Sequence, residues 1–595
     1  MRFSNGRSAL LVAVAGVALV LGCEDEGCDD LQPLEKDLED VDKVYDGIQV
    51  EVSPDGFEFL ELNFDVIVET IAEDGLAFDL DPEPGSCSTF SSDTKICNRN
   101  DPCPVTAELR NVFILREEPD TIRVMADLWA HSGTNASGPA NDKIPICAGP
   151  VSADAEVHIM GKPVSARVRL GRDSVTHGLE IDLSDPPEIE ITDADYTISG
   201  GLLAGAAELL FKGRITDMMN DMLEDELIDE LDEMVDDATC MECDLFTLGC
   251  EGGLGVAGVH CDEDKGWCMR SGGCVRAPLG VVGRLDLGEM LDGMLPSTLL
   301  DLYIGAGQRE NAYGDPFVPH DGGPVQVRVI TGLAAESFSP CVPSPSTEPS
   351  TAPPPRIDFG NESEGLRYHI GIGISDRFLN KALYEVYRSG GLCIDIDSEV
   401  DDMISTGLFA TFLPSLGVLT GGDNTPMIIS LRPKELPEIH IGKGTYIEVG
   451  SKWVMEEPLI NLYLNNVHLD FYGFFEERYY RLFTLDVDLY VPVGLEATVG
   501  GQLLPLLGDL DDMVTRIEVK NSGILAEDTS VLEDIVPTII GLVEPMLDDL
   551  LDPIDLPELE GFELDIRKIE GIVPHGEPDR YEHIGIFARL GIASQ

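Results

Sequence analysis

Positive charge is what this chain has least of. Thirty-nine lysines and arginines stand against 110 aspartates and glutamates, for a formal net charge of −71. Polyanions are captured by clustered Lys and Arg, so nucleic-acid binding is excluded as a primary function, as is electrostatic docking on an anionic membrane face. Motifs of catalysis are missing too: there is no HExxH, no GxSxG and no GxxxxGK[ST]. Gly253, Gly255 and Gly258 fit GxGxxG, but they lie between cysteines and follow no strand pattern. The ten histidines show no ligand spacing. His468 and His583 fall within strand patterns and read as sheet residues. The expectation is a protein without covalent chemistry, not an enzyme.

What the chain does have is length and apolar content. Its 595 residues are 43% hydrophobic and 25% charged, a globular composition long enough for two to four domains. Residues 1–23 combine Arg2 and Arg7, an apolar run from Ala9 to Leu21, and Gly22-Cys23. That run is too short to cross ~30 Å of hydrocarbon and reads as a secretory signal. Val20-Leu21-Gly22-Cys23 resembles a bacterial lipobox, whose cysteine is acylated and becomes the mature N-terminus. The expectation is a signal peptide over 1–22 and a palmitate-type lipid anchor at Cys23. Glu24 after the cysteine resembles the enteric sorting pattern of an outer-membrane lipoprotein, so the expected location is the cell envelope, periplasmic or surface facing; the alternative is an ordinary signal peptide that leaves Cys23 for a disulfide.

The 14 cysteines fit an oxidising compartment. With Cys23 acylated the remainder is odd, and Cys28 is the candidate left without a partner in the chain. Cys87, Cys97, Cys103 and Cys147 are expected in loops. Cys240, Cys243, Cys250, Cys261, Cys268 and Cys274 form a cluster read as three disulfides of open connectivity. Zinc would want a second CxxC beside Cys240 and Cys243, and none is there.

Along the chain, residues 23–45 are an acidic tether, with helical character from Leu34. From Gly47 the period becomes two. Ile48, Val50 and Val52 are followed, beyond Pro54-Asp55-Gly56, by Phe57, Phe59, Leu62, Phe64, Val66 and Val68, a strand-turn-strand signal. With Ile122/Val124/Ala126/Leu128, Val164/Ala166/Val168/Leu170 and Leu179/Ile181/Leu183, this predicts one antiparallel sheet over 47–193. A helical period then places Ile215, Met219, Leu223, Leu227, Leu231 and Met234 on one face within 199–235. Short strands return between Val281 and Ile330. Residues 340–357, rich in Pro, Ser and Thr, read as an extended spacer and a domain boundary.

Beyond the spacer, 374–388 predicts an amphipathic helix capped by Ser375 or Asp376. Alternation at Met427/Ile429/Leu431, Ile460/Leu462/Leu464, Val467/Leu469/Phe471 and Leu485 to Val493 predicts strands. A second helical pattern over 530–551 carries Ile535, Ile539, Leu542, Met546 and Leu550 on one side, broken by Pro537 and Pro545. Closing strands fall at Phe562/Leu564/Ile566 and Ile584/Ile586. A one-faced sheet wrapped on such a helix encloses an elongated apolar slot, which periodicity leaves either filled by side chains or open to an acyl chain. Asp262/Asp264 and Asp395/Asp397 offer hard oxygen ligands, yet neither continues to the glutamate of a twelve-residue calcium loop. No cofactor is expected, and structural calcium is the weaker alternative.

Residues Gly371 to Asn380 carry a family resemblance. Ser375, Asp376, Phe378 and Asn380 resemble the segment that opens the second-domain helix of bactericidal/permeability-increasing protein and its lipopolysaccharide-binding and lipid-transfer relatives, the tubular lipid-binding proteins. Phe409 to Pro414, Ile535-Val536-Pro537 and the run at 556–559 are similar to later segments of that domain. The match is good over about 365–595 and is one of element order over 46–330. The resemblance implies an α+β fold of two elongated barrel-like domains. Each is a highly twisted antiparallel sheet around a long amphipathic helix, and the two form a pseudo-symmetric boomerang with a central sheet. The domains are 46–339, with a disulfide-rich insertion at 240–274, and 358–595, joined by the linker 340–357.

It further implies apolar pockets for phospholipid or a similar ligand. They would be lined by Ile215, Met219, Met222 and Leu223 in the first domain, and by Phe378, Leu379, Leu383, Ile535, Ile539 and Leu542 in the second. Expected partners are that lipid and, through Cys23, a membrane, with no nucleic acid. The cationic tip of the family's lipopolysaccharide binders is replaced here by acidic composition. The rival expectation is a structural or adhesive, calcium-associated surface lipoprotein with a packed interior.

Overall fold

The computed structural model describes residues 38–64, 76–80, 82, 94–95, 97–133, 142–148, 151–172, 179–188, 192, 196–199, 240–241, 243, 259–262, 266–270, 273–275, 280–286, 299–306, 317–362, 365–397, 404–449, 452–498, 502–508, 513–536, 562–573 and 580–592. Among these it is mostly antiparallel sheet with few helices.

Strand β1 (Lys43–Val52) alternates apolar Ile48, Val50 and Val52 with Gln49 and Glu51. It lies inside a seven-stranded sheet with β2 (Gly280–Asp286), β3 (Leu299–Ala306), β4 (Val325–Ala335), β5 (Ile370–Ser375), β6 (Phe562–Ile572) and β7 (His583–Ile592). The order is β2-β3-β4-β1-β5-β7-β6, and every pairing is antiparallel. Strands from before and after the proline-rich segment thus share one hydrogen-bond ladder, joined where β1 meets β5.

The register at that junction is locally two-fold symmetric. Ile48, Val50, Val52 and Ser53 recur as Ile370, Ile372, Ile374 and Ser375. Across the ladder Ile48 faces Ile374, Val50 faces Ile372 and Val52 faces Ile370. Val50 therefore pairs with its own counterpart, and a local two-fold axis passes between them. Topology obeys the same axis: β1 and β5 each pair next with the last strand of their own half, β4 and β7, which pair with β3 and β6.

Each of the two central strands leads into a helix. These are α1 (Pro54–Leu62) and α2 (Asp376–Ser389), capped by Ser53 and Ser375, whose hydroxyls accept from the backbone N–H of Gly56 and Phe378. The strand-turn-strand reading of 48–68 is corrected at α1. Pro54 at the first helical position supplies a helical φ without losing a needed donor, and Phe57, Phe59 and Leu60 turn inward on a helical face. Val66 and Val68 lie outside the described residues.

The predicted sheet over 47–193 is likewise divided. β1 belongs to the central sheet, whereas Cys103–Glu117, Thr121–Ser132 and Val151–Arg172 pair in turn within a separate eight-stranded sheet. At ~3.3 Å per residue the last of these strands spans roughly 70 Å. In the second half, Ile460–Phe475 and Arg478–Ala497 make a long hairpin inside another seven-stranded sheet. Glu476 and Glu477 turn it with φ of 50° and 63°, the left-handed pair that matches strand twist. Two of the predicted alternating runs are one strand here, bulged between Leu464 and Val467. The long helix expected over 199–235 lies outside the described residues. Of the one over 530–551, the described part is a short helix, Thr529–Glu533, with the following Ile535 and Val536 buried.

The proline-rich segment forms neither helix nor strand over 340–357, and it is no free spacer. Cys341 is disulfide-bonded to Cys393 just beyond α2. Ser339 N–H donates to Arg388 O at 2.9 Å, the Tyr387 hydroxyl donates to Pro343 O at 3.2 Å, and Arg377 donates to Ala352 O and Pro353 O at 2.8 and 2.6 Å. The segment therefore runs antiparallel along α2 as a strap. It then crosses the face of the central sheet, where Ile357 and Phe359 pack over Gly373 and Gly371. A Cβ on Gly373 would overlap Ile357 Cδ1.

Cysteines depart from the loop expectation as well. Cys97 is in a loop, but Cys103 opens a strand and Cys147 lies within Ile144–Ala148. Cys97 is bonded to Cys103, Cys240 to Cys274 and Cys243 to Cys261. Cys147 and Cys268 are also disulfide-bonded, while Cys250, Cys28 and Cys87 lie outside the described residues. Among the described residues no helix is long and apolar enough to cross a membrane.

Candidate functional site

Helix α2 organises the interior of the second half. Ser375 caps its start, and Gly390, at φ 88°, ends it by donating to Tyr387 O and letting Gly391 donate to Val386 O. Between these ends Phe378, Leu379, Ala382, Leu383, Val386 and Tyr387 form one stripe, all buried. The stripe joins a continuous apolar cluster with Leu300, Leu302, Ile304, Val329 and Leu333 of first-half strands β3 and β4, and with Ile439, Leu462 and Phe471 of the second-half sheet. Ile535 and Val536 enter the same cluster.

Four of the predicted lining residues, Phe378, Leu379, Leu383 and Ile535, are therefore brought into one apolar interior. Ile539 and Leu542, the first-half set Ile215, Met219, Met222 and Leu223, and the anchor Cys23 lie outside the described residues. The first-half contribution from β3 and β4 was not foreseen, because nothing local in those strands says which helix they meet.

Each residue of the Ser375 motif has a structural task. Asp376 takes an ion pair from Arg580 at 3.0 Å. Phe378 is in the cluster. Asn380 brackets a single residue of the strand Glu438–Ile441, donating to Ile439 O at 2.8 Å and accepting from Ile439 N–H at 2.9 Å. This fixes the helix against the second-half sheet.

An ionic lock, also missed by the sequence reading, fixes α2 against the first half. Lys381 is 2% exposed and Glu385 0%. The Lys381 ammonium reaches Glu385 at 2.7 Å and Asp42, just ahead of β1, at 3.1 Å. The other Glu385 oxygen accepts the Ala335 N–H of β4 at 3.0 Å and pairs with Arg388 at 3.1 Å. The available signal was a Lys and a Glu four residues apart beside the apolar stripe. Its burial was hidden because the segments that meet these side chains, at Asp42 ahead of β1 and Ala335 of β4, are distant in sequence.

Beneath the strap the opposite face of the central sheet carries buried polar groups beside the small apolar cluster of Ile357, Phe359, Ile572 and Phe587. Gln49 donates to Pro355 O at 2.9 Å and accepts from Ile357 N–H at 3.0 Å. Its side-chain nitrogen lies 3.4 Å from His583 Nε2, and burial pushes the His583 imidazole down to about 4. Glu51 accepts from the Tyr368 hydroxyl at 2.6 Å and from Gln326 at 2.7 Å. Burial raises both the Glu51 carboxyl and the Tyr368 hydroxyl above their ordinary values. These groups serve strap and sheet to one another, and each partner above is a protein group.

Among the described residues no group of three or more His, Cys, Asp or Glu is placed to hold a metal ion. Asp395, weighed for calcium, is engaged by Ser430 at 2.5 Å and Arg432 at 2.6 Å. Asp264, with its neighbours 263 and 265, lies outside the described residues.

No family model matches the chain, and no curated protein matches it. Solved structures that align over most of its length include the following three. The crystal structure of lipopolysaccharide binding protein is 12% identical at a TM-score of 0.39, covering 92% of this chain and 99% of that one. P47 of Clostridium botulinum E1 is 8% identical at 0.23, covering 91% and 98%. P47 from Clostridium botulinum A2 is 9% identical at 0.25, covering 91% and 96%. With overlays this loose, strand order and register define the architecture.

Proposed function

We propose that this protein holds or transfers lipids of phospholipid type in its apolar interior, without covalent chemistry. It would do so at the outer membrane of a bacterial envelope, tethered through acylated Cys23. The observation that carries the reading is the placement of α2. One helix presents Phe378, Leu379 and Leu383 to an interior walled by strands of both halves and entered by Ile535. Such a wall replaces water around an acyl chain at ~0.8 kcal/mol per buried methylene. The resemblance of Ser375, Asp376, Phe378 and Asn380 to the tubular lipid-binding proteins points the same way.

Native mass spectrometry on gently purified protein, followed by organic extraction, tests this. The expected result is a mass excess that denaturation releases as lipid, and that Leu383→Trp, which would fill the interior, reduces. Protein that is empty in the native spectrum and yields no lipid on extraction refutes it.

A second reading has one observation in its favour. Phe471 and Phe483 stack at 4.3 Å with Phe409 against them at 6.1 Å, so part of the interior is filled by the protein's own rings. A packed structural or adhesive lipoprotein would be empty in the native spectrum, and its melting temperature would fall on calcium chelation.

A further inference from the structure

The strap carries a feature that lipid binding does not use. Between its anchor points at Pro343 and Ala352 the sequence is Ser344-Pro345-Ser346-Thr347-Glu348-Pro349-Ser350-Thr351. Ser344, Ser346, Thr347 and Ser350 are exposed, while Pro345 and Pro349 are half-buried. Contacts that hold the segment go through other groups: the Pro343, Ala352 and Pro353 carbonyls, the Cys341 disulfide, and Glu348, which accepts from the Tyr384 hydroxyl at 3.4 Å. Among the described residues the hydroxyls of Ser344, Ser346 and Thr347 make no hydrogen bond within the protein. That of Ser350 accepts only the Ala352 N–H, at 3.3 Å.

We propose that this strap is a site of O-glycosylation, with Ser344, Ser346, Thr347 and Ser350 as acceptors. A transferase must lay its acceptor out as an extended chain with the hydroxyl free. Pro345 and Pro349 fix φ at their positions before any enzyme arrives, which lowers the ordering entropy of binding. Serine, threonine and proline in such density are the composition of O-glycosylated stalks, and the fold adds outward-facing hydroxyls on a backbone pinned from behind.

In the reaction the hydroxyl oxygen attacks the anomeric carbon of a sugar carried on a phosphate leaving group. A new C–O bond replaces the sugar–phosphate bond, the phosphate departs with the bonding pair, and the hydroxyl proton passes to a base of the transferase. Phosphorylation of the same hydroxyls fits less well. It would put about two negative charges beside Glu348 in a chain already at −71, whereas a neutral sugar adds none. A sugar would also screen an exposed segment from proteases, which favour such sites.

The inference is independent of the lipid reading. Its test uses the full-length protein purified from the cells that make it. After reduction of Cys341–Cys393, trypsin releases Val329–Arg356 as a single peptide holding all four hydroxyls, because no Lys or Arg lies between Arg328 and Arg356. The expected peptide is heavier than its sequence by whole sugar residues, loses them as neutral fragments on collision, and loses them chemically on mild alkaline β-elimination. A variant with S344A, S346A, T347A and S350A should give that peptide at its sequence mass. Recovery of the native peptide entirely at sequence mass, or carrying phosphate in place of sugar, overturns the proposal. The native-peptide measurement decides even if the fourfold variant folds poorly.

Discussion

Lys381→Met probes how the two halves are held together. The side chain is 2% exposed and reaches Glu385 of its own helix at 2.7 Å and Asp42 of the first half at 3.1 Å. Methionine keeps the length, apolar stem and helix propensity of lysine, so the main loss is the charge. Glu385, 0% exposed, keeps Arg388 and the Ala335 N–H but loses its nearest cation. Removing one partner of a buried pair typically costs about 3–5 kcal/mol, because the other is left as a poorly compensated buried charge.

The expected outcome is a loss of that size in chemical denaturation followed by far-ultraviolet circular dichroism. Lys143, paired with Glu156 at 2.9 Å but 55% exposed, is the control, and Lys143→Met should leave the denaturation midpoint close to that of wild type. Adding Glu385→Gln to Lys381→Met should recover at least half the loss, since the amide oxygen still accepts the Ala335 N–H and no buried carboxylate remains. If Lys381→Met costs under about 1 kcal/mol, or if the second change deepens the loss, the lock as described is wrong.

Other consequences can be checked with the same assay. Gly571→Ala should destabilise by more than Gly585→Ala, because the new methyl meets the backbone oxygen of Gly442 in the first case and the movable Cδ1 of Ile572 in the second; overpacking of the former kind costs about 1–3 kcal/mol or more. Cys341→Ala with Cys393→Ala releases a crosslink spanning 52 residues, for which loop entropy gives up to about 4 kcal/mol, and limited proteolysis should then cut within the strap. His583, lowered to about 4 by burial, makes the unfolded chain bind more protons between that value and the ordinary histidine range near 6.5. Its contribution is therefore complete above pH 6.5 and shrinks as pH falls toward 4, by roughly 3 kcal/mol. Asp46 and Glu51, both raised by burial, act with the opposite sign and are common to wild type and variant. His583→Gln should thus lose less stability than wild type between pH 7 and 4.5, and equal losses would refute the assignment.

The local periods of this chain were sufficient for much of its secondary structure. α2 begins and ends within two residues of its predicted span because Ser375, the apolar stripe and Gly390 lie close together in sequence. The strands at Met427, Ile460, Leu485 and Ile584 follow from alternation for the same reason. At Phe57 and Phe59 alternation misled, since a Ser-Pro start outweighs two well-spaced phenylalanines. The amphipathic pattern of 374–388 placed Phe378, Leu379 and Leu383 on the apolar face that α2 buries.

Partnership between distant segments was decided by tertiary structure. Sequence showed β1 as a strand, but its place beside β5, on a two-fold axis through Val50 and Ile372, depends on two segments hundreds of residues apart. Burial of Lys381 and Glu385 is of the same kind: a charge four residues from its partner looks like a solvated face until another segment covers it. Composition marked residues 340–357 as extended. Only the fold could turn that spacer into a strap, because the groups that pin it, on α2 and Gln49, are its neighbours in space and not along the chain.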